Sequence, residues 1–259
     1  MAEVKNKEQQ INTNELRLQY ADGLVSIITP AYNTAAYIAE TIVSVLAQTY
    51  TNWEMLIVND CSKDNTVEIV QSYAEKDKRI KLINLKQNSG AAVARNTAIQ
   101  NAKGRYIAFL DSDDLWKKEK LQKQIEFMQQ NVYAFTYTSY EHFKGIKENI
   151  QNQVQIPKSL NYKQALRGNQ IGCLTVILDR TQIQNIHFTT QKHEDYIFWL
   201  NILKQGINAY GIQESLALYR TGNSKSISGN KLQSAIWTWK VYRESQNLSV
   251  VKSMYYMWF

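Results

Sequence analysis

The sequence predicts an α/β fold: a mostly parallel sheet flanked by helices, with a helical appendage at the C-terminal end. Three observations carry this. Short β-branched runs alternate with helically spaced segments through the first half of the chain. Three of those runs stop at Pro30, Asn59 and Asp111, residue types that end strands. From Lys231 onward the pattern changes to two amphipathic stretches.

The elements follow in order. "LVSIIT" (Leu24–Thr29) is a short β-branched run closed by Pro30, so a buried strand. Ala35–Gln48 carries Ile38, Ile42, Val45 and Leu46 at helical spacing. Trp53–Val58 is a second strand. Asn65–Lys76 is a helix that Ser62 or Asp64 can cap. Ile80–Leu85 is a third strand, Ser89–Ala102 a helix with Ser89 at its N-cap, and Arg105–Leu110 a fourth strand. Four β-α steps at this spacing predict parallel, doubly wound strands, whose ligands bind beyond the carboxyl ends. The segment "LWKKEKLQKQIEFM" reads as the next helix.

The second half is less regular. Tyr133–Phe143, Cys173–Asp179 and Glu214–Arg220 read as strands, and Glu194–Gly206 as a helix with Gly206 near its C-cap. We expect a polar lead-in over residues 1–23, one domain over 24–230 and C-terminal amphipathic helices over 231–259.

Composition narrows the function. With 259 residues, 44% of them hydrophobic, the chain can bury a sizeable core. Two cysteines, Cys61 and Cys173, make no disulfide framework, which points to a reducing compartment. The N-terminus "MAEVKNKEQQ" has no apolar core of a signal peptide. No run reaches the roughly 20 apolar residues that span a bilayer. The net charge of +7 suits a phosphorylated substrate, an anionic membrane surface or plain solubility. Nucleic acid is the weakest partner, because no zinc-finger, recognition-helix or RNP-type pattern is present.

Strand ends place the candidate site. Strand one runs out at Pro30, Tyr32 and Asn33, strand two at Asn59 and Asp60, strand four at Asp111, Ser112 and Asp113. In extended chain Asp111 and Asp113 point to one side. Two such carboxylates raise each other's pKa unless a cation lies between them. Mg²⁺ or Mn²⁺ fits, as a hard ion held by one or two carboxylates plus phosphate oxygens. The competing reading is a solvated acidic turn that caps the next helix, and Asp114 suits that reading best.

Four ordered motifs, "VSIITPAYN", "SVLAQTYTNWEMLIVNDCSKDNT", "NSGAAVARNTAI" and "GRYIAFLDSDD", resemble the sugar-nucleotide half of family 2 glycosyltransferases, whose fold is GT-A. The match continues more faintly through "HEDYIFWLNIL" and "SLALYRTGNSKSIS". The resemblance implies a nucleotide-sugar half over 24–120 and an acceptor half over 121–230. It makes Asp113 the direct metal ligand and Asp111 the partner that reaches the ribose or a metal-bound water. Ser112 then lies against the nucleotide, Asp60 accepts the uracil N3–H, Pro30 and Tyr32 pack on the base, and Arg95 is a basic residue near the donor. Tyr32 competes with burial as a core ring, Arg95 with exposure on a helix. Asn59 departs from the family, where aspartate is common.

The resemblance also implies a catalytic base, Asp195 in "HED", with Glu194 as the alternate and His193 either touching phosphate or structural. A carboxylate at a helix N-terminus is expected to have a depressed pKa. Arg220 resembles the family's basic residue on a loop over the diphosphate. Gly222, Ser224, Lys225, Ser226 and Ser228 suit a lid or an ordinary surface loop.

Together these imply an inverting, metal-dependent glycosyltransferase. It would move a hexose or N-acetylhexosamine from a UDP-sugar to a glycan or lipid-linked saccharide in surface polysaccharide synthesis. The alternatives are a GDP- or dTDP-sugar donor, or a non-catalytic sugar-nucleotide-binding or scaffold subunit of an assembly complex. The aromatic and basic tail, with Trp237, Trp239, Tyr255, Tyr256 and Trp258 among Lys240, Arg243 and Lys252, suits either a membrane interface or packing on the domain. The expected location is the cytoplasm, or the inner face of the cell membrane as a peripheral protein.

Overall fold

Four parallel strands carry the first half: β1 (Ala21–Ala31), β2 (Trp53–Asn59), β3 (Ile80–Asn84) and β4 (Gly104–Phe109). Helices α1 (Ile38–Leu46), α2 (Thr66–Lys76) and α3 (Ala91–Asn101) make the crossovers that parallel neighbours require. The spatial order β3-β2-β1-β4 means the chain winds outward from β1 and then returns to its other side. That reversal is where open α/β sheets bind ligands. The computed structural model describes residues 20–222 and 231–258. The lead-in before residue 20, the lid candidates Ser224, Lys225, Ser226 and Ser228, and Phe259 lie outside the described residues.

The second half extends the same sheet. It contains β5 (Leu115–Trp116), α4 (Lys120–Asn131), β6 (Phe135–Lys144), β7 (Ile150–Val154), β8 (Ser159–Leu160) and α5 (Tyr162–Ala165). A 3₁₀ turn (Cys173–Thr175), β9 (Ile177–Asp179), α6 (Glu194–Leu203) and β10 (Ala209–Thr221) follow. The short β9 runs antiparallel between β4 and β6 and joins the halves. Strands β6 and β10 are parallel, while β5 and β8 pair antiparallel with β10 and β7 with β6. The full sheet is mixed, in the order β3-β2-β1-β4-β9-β6-β10-β5.

Alternation along the strands fills two cores. Ile107 and Phe109 of β4 join α3 and α6 on one face. Tyr106 and Ala108 point to the other, against Ile38, Ile42 and Val45 of α1 and Leu121, Ile125 and Met128 of α4. Helix α6 is buried almost all round, from Tyr196 to Leu203. The appendage is the reason: α7 (Lys231–Lys240) runs into a π-helical turn (Val241–Ser245) and then α8 (Val250–Trp258). Tyr242 is buried and donates to Leu166 O at 2.5 Å, and Gln246 Nε2 donates to Asn201 Oδ1 of α6 at 2.9 Å.

Local expectations shift where tertiary partners intervene. Cys173–Thr175 is a 3₁₀ turn rather than strand, because both the amide and the hydroxyl of Thr175 donate to Gly172 O. Leu115 and Trp116 leave the expected helix to pair with β10, so α4 starts at Lys120. Asp114 therefore does not cap it: Glu119 takes the N-cap position. Ser89 does not cap α3 either; its hydroxyl donates to Gln87 O, and Gly90, at φ +88°, stands at the N-cap.

Candidate active site

Parallel pairing brings three strand ends to one edge. Ala31 lies opposite Asn59, and Ile28 opposite Phe109. The turns beyond are cross-tied: Asn33 N–H donates to Ser62 Oγ at 3.0 Å and Asn33 Oδ1 accepts from Lys63 N–H at 2.7 Å. Asn33 and Cys61 both hold positive φ, at 52° and 59°. Asn tolerates that region; the cysteine does not readily, and the ties hold it there. Asn59 accounts for its own departure from aspartate. Its Nδ2 donates to Asn84 Oδ1 at 2.9 Å while its Oδ1 accepts from Ser62 N–H at 3.0 Å. A carboxylate cannot donate the first of these bonds.

Asp60 is buried against the start of α3. Its two oxygens accept from Ser89 N–H at 2.7 Å and Gly90 N–H at 2.8 Å. Tyr32 is 47% exposed, so it is not a core ring, and Pro30 beside it is half-buried.

The acidic turn alternates. Asp111 and Asp113 are half-buried, whereas Ser112 and Asp114 are buried. Ser112 O accepts from Thr41 Oγ1 of α1 at 3.0 Å. Asp114 Oδ1 accepts from Arg220 N–H at 2.8 Å, and burial pushes its carboxyl well above the ordinary value, helped by Asp113 and Asp111. Arg220, also buried, spends its side chain on the same turn. Its Nε donates to Asp113 O at 2.8 Å, Nη1 to Gly145 O at 2.7 Å and Nη2 to Glu40 Oε2 at 2.6 Å. Arg220 thus closes β10 onto the acidic turn. Burial pushes the neighbouring Tyr219 hydroxyl up to about 12, with Asp114, Asp111 and Asp113 adding to it, so it stays a neutral donor.

Arg95 joins the two ends of the site. Although it sits on a helix, only 7% of its side chain is exposed. Nη2 pairs with Asp111 Oδ1 at 2.7 Å and Nη1 with Glu194 Oε1 at 3.2 Å, and the guanidinium lies 5.4 Å from the Phe188 ring centroid. Burial disfavours its charge, but Asp111 and Glu194 outweigh that and hold it protonated.

Asp195, next to Glu194, is half-buried. Asn169 Nδ2 donates to its Oδ2 at 3.1 Å and Tyr196 N–H to its Oδ1 at 2.7 Å. Its carboxyl is raised, not depressed: burial and the Glu194 charge prevail over these bonds and over Arg95. His193 precedes the pair with φ 61°, its ring edge-on to Trp237 at 5.6 Å and its Nε2 3.5 Å from Ser234 Oγ. Cys173 is buried near Arg95, Asp111 and both acidic residues, and burial keeps its thiol neutral.

Sequence reasoning missed Glu40, Thr41, Gly145 and Asn169. None carries a local signal, since each reaches the site from a distant element. Among the described residues, no group of three or more His, Cys, Asp and Glu side chains is arranged to hold a metal ion by itself.

A parallel half-sheet that ends in an acidic turn, ion-paired through a buried arginine to an acidic helix start, has the architecture of a GT-A glycosyltransferase. The glycosyl transferase family 2 pattern matches residues 26–192, and the chain belongs to that family. It is 48% identical over 231 residues to a Bacillus subtilis glycosyltransferase named for teichuronic acid biosynthesis, TuaG, covering 89% of this chain and 91% of that protein. It is 44% identical over 221 residues, 85% of each chain, to WfgD of Escherichia coli, named a UDP-Glc:alpha-D-GlcNAc-diphosphoundecaprenol beta-1,3-glucosyltransferase. Solved structures share the fold. Staphylococcus aureus TarS with UDP-GlcNAc superimposes with a TM-score of 0.70 at 20% identity, over 90% of this chain and 70% of that one. The Pyrobaculum calidifontis mannosyltransferase PcManGT with GDP-Man and Mn²⁺ also gives 0.70, at 16% identity, over 96% and 77%.

Proposed function

We propose that this enzyme transfers a hexose or N-acetylhexosamine from a UDP-sugar, with inversion, to a lipid-linked saccharide in surface polysaccharide synthesis. The observation that carries this is the Asp111–Arg95–Glu194 bridge, which sets the donor edge of the sheet beside Asp195. The relative WfgD, a glucosyltransferase that uses UDP-glucose and a diphosphoundecaprenol-linked acceptor, supports this substrate class.

In this reading residues 24–120 bind the donor and 121–230 the acceptor. Pro30 and Tyr32 pack on the base, and Asp60 accepts the uracil N3–H with lone pairs its two backbone bonds leave free. Ser112 and Arg95 line the donor. Asp113 and Asp111 would hold Mn²⁺ or Mg²⁺. The fit is good for a hard cation that takes its remaining ligands from diphosphate and water, because the turn offers two half-buried carboxylates while its third, Asp114, is buried on Arg220 N–H. Such a cation neutralises charge that develops on the leaving diphosphate.

Asp195 takes the proton of the acceptor hydroxyl as its oxygen attacks the anomeric carbon. The bond from that carbon to the diphosphate oxygen breaks, and UDP leaves with the electron pair. The raised carboxyl suits a base better than a depressed one, because proton affinity drives the transfer. Arg220 serves the diphosphate by holding the acidic turn in place.

Peripheral membrane contact fits the tail. No helix among the described residues is long and apolar enough to cross a membrane. On α8, however, Val251, Met254, Tyr255 and Trp258 form one stripe, exposed by 73, 51, 54 and 89% for Val251, Tyr255, Met254 and Trp258 in turn.

The test is a nucleotide-sugar panel with and without Mn²⁺. UDP binding is expected to need the cation and to collapse in Asp113→Ala. Equal affinity in EDTA sinks the cation, and preference for a GDP- or dTDP-sugar sinks the donor. Sugar-nucleotide binding with no transfer to any lipid-linked acceptor favours a non-catalytic subunit.

A further inference from the structure

The paired carboxylates at the start of α6 pose a problem of selection. Glu194 and Asp195 are adjacent and both reach the site, yet a displacement needs one base. Their partners differ in kind. Glu194 faces a cation, Arg95 Nη1 at 3.2 Å. Asp195 faces a neutral amide, Asn169 Nδ2 at 3.1 Å. The ion pair commits Glu194 to Arg95, whereas the partner of Asp195 carries no charge.

Asn169 comes from outside the acidic motif. It lies in the loop after α5, just past Gly168, whose φ of 143° only glycine adopts readily. Its Oδ1 is turned toward Ile171 N–H at 3.4 Å, which leaves Nδ2 for the carboxylate. The groups around Asp195 are Glu194 on its own helix, Arg95 from α3, the neutral Cys173 thiol from the 3₁₀ turn and the Asn169 amide. Asn169 is the uncharged side chain that bonds Asp195 directly, and it is itself exposed.

We infer that Asn169 is a positioning residue for transfer: it fixes the Asp195 carboxylate by donating to Oδ2 while Tyr196 N–H holds Oδ1, without neutralising the base. This rests on the reading of Asp195 as base. Arg95 completes the division by occupying Glu194.

Asn169→Asp and Asn169→Ala separate this role from a merely structural one, since an exposed loop side chain can be changed without unfolding the core. Aspartate has the same shape and cannot donate, and it adds a like charge. Transfer by Asn169→Asp is expected to fall roughly 100-fold, and by Asn169→Ala roughly 10-fold, the scale of a displaced catalytic group. Donor KM and UDP affinity should stay unchanged. The hydrogen bond favours the ionised carboxylate, so losing it moves the acid limb of the kcat profile to higher pH in both variants. Wild-type turnover and pH profile in Asn169→Asp overturn the inference, and so does a rise in acceptor KM with an unmoved acid limb. Asp195→Asn is the control. If it retains transfer, the base is elsewhere and the underlying reading fails. If it abolishes transfer while Asn169→Asp behaves as wild type, only the positioning role fails.

Discussion

Truncating Arg220 distinguishes a residue that reaches for phosphate from one that builds the site. Its side chain is 4% exposed and makes three hydrogen bonds: to Asp113 O, to Gly145 O and to Glu40. The Glu40 carboxylate is 57% exposed, so that ion pair contributes about 0–1 kcal/mol. The two bonds to carbonyls come from a charged donor and contribute about 1.5 kcal/mol each, the low end for such bonds. Contacts with the Tyr37 and Phe143 rings, 4.8 and 4.4 Å from the guanidinium, add about 0.5 kcal/mol. Arg220→Ala should therefore cost about 4 kcal/mol. In a chain of this size that lowers Tm by roughly 8–16 °C. The assay is thermal unfolding of the ligand-free protein beside titration with UDP. Stability and UDP affinity should fall together, because the acidic turn loses its brace. An unchanged ligand-free Tm with weakened UDP binding refutes the reasoning and returns Arg220 to the diphosphate.

Two further outcomes are expected. Lys120 is fully buried; its Nζ donates to Gln124 Oε1 at 2.8 Å, and burial holds its pKa well below the ordinary value. The unfolded chain then binds the extra proton, so this group favours folding more as pH rises toward the ordinary lysine pKa. Lys120→Met should raise Tm, by the most at low pH, and the gain should shrink as pH rises; a loss at every pH overturns this. On α8, Tyr255→Glu with Trp258→Glu should abolish co-sedimentation with phosphatidylglycerol vesicles and leave transfer to a water-soluble acceptor intact. Unchanged sedimentation removes the membrane from the picture, and loss of a dimer in its place makes the stripe a self-association surface.

The acidic edge of the sheet was legible because it is local. β-branched runs ending in Pro30, Asp60 and Asp111 announce both the strands and their carboxyl ends, and parallel pairing then has one way to align them. The α6 start was legible as a motif but misread in its electrostatics. A helix N-terminus lowers a carboxyl, yet burial and Glu194 raise Asp195 further than the helix end can lower it. Asp114 was misread for a similar reason. Its place before a helical pattern suggested a cap, whereas β5 pairing with β10 draws it inside, onto Arg220 N–H.

The amino-acid order alone determined the α/β alternation, the acidic turn and the family resemblance, since each strand, helix and motif is a local pattern and their order along the chain does the rest. Tertiary structure decided which partners those residues meet. Arg95 lies 16 positions from Asp111 and 99 from Glu194, and Asn169 lies 26 from Asp195. No local pattern encodes such separations. The Arg95–Glu194 contact crosses the two half-sheets that β9 joins, and Arg95 is buried there, where charge and hydrogen bonding outweigh hydration.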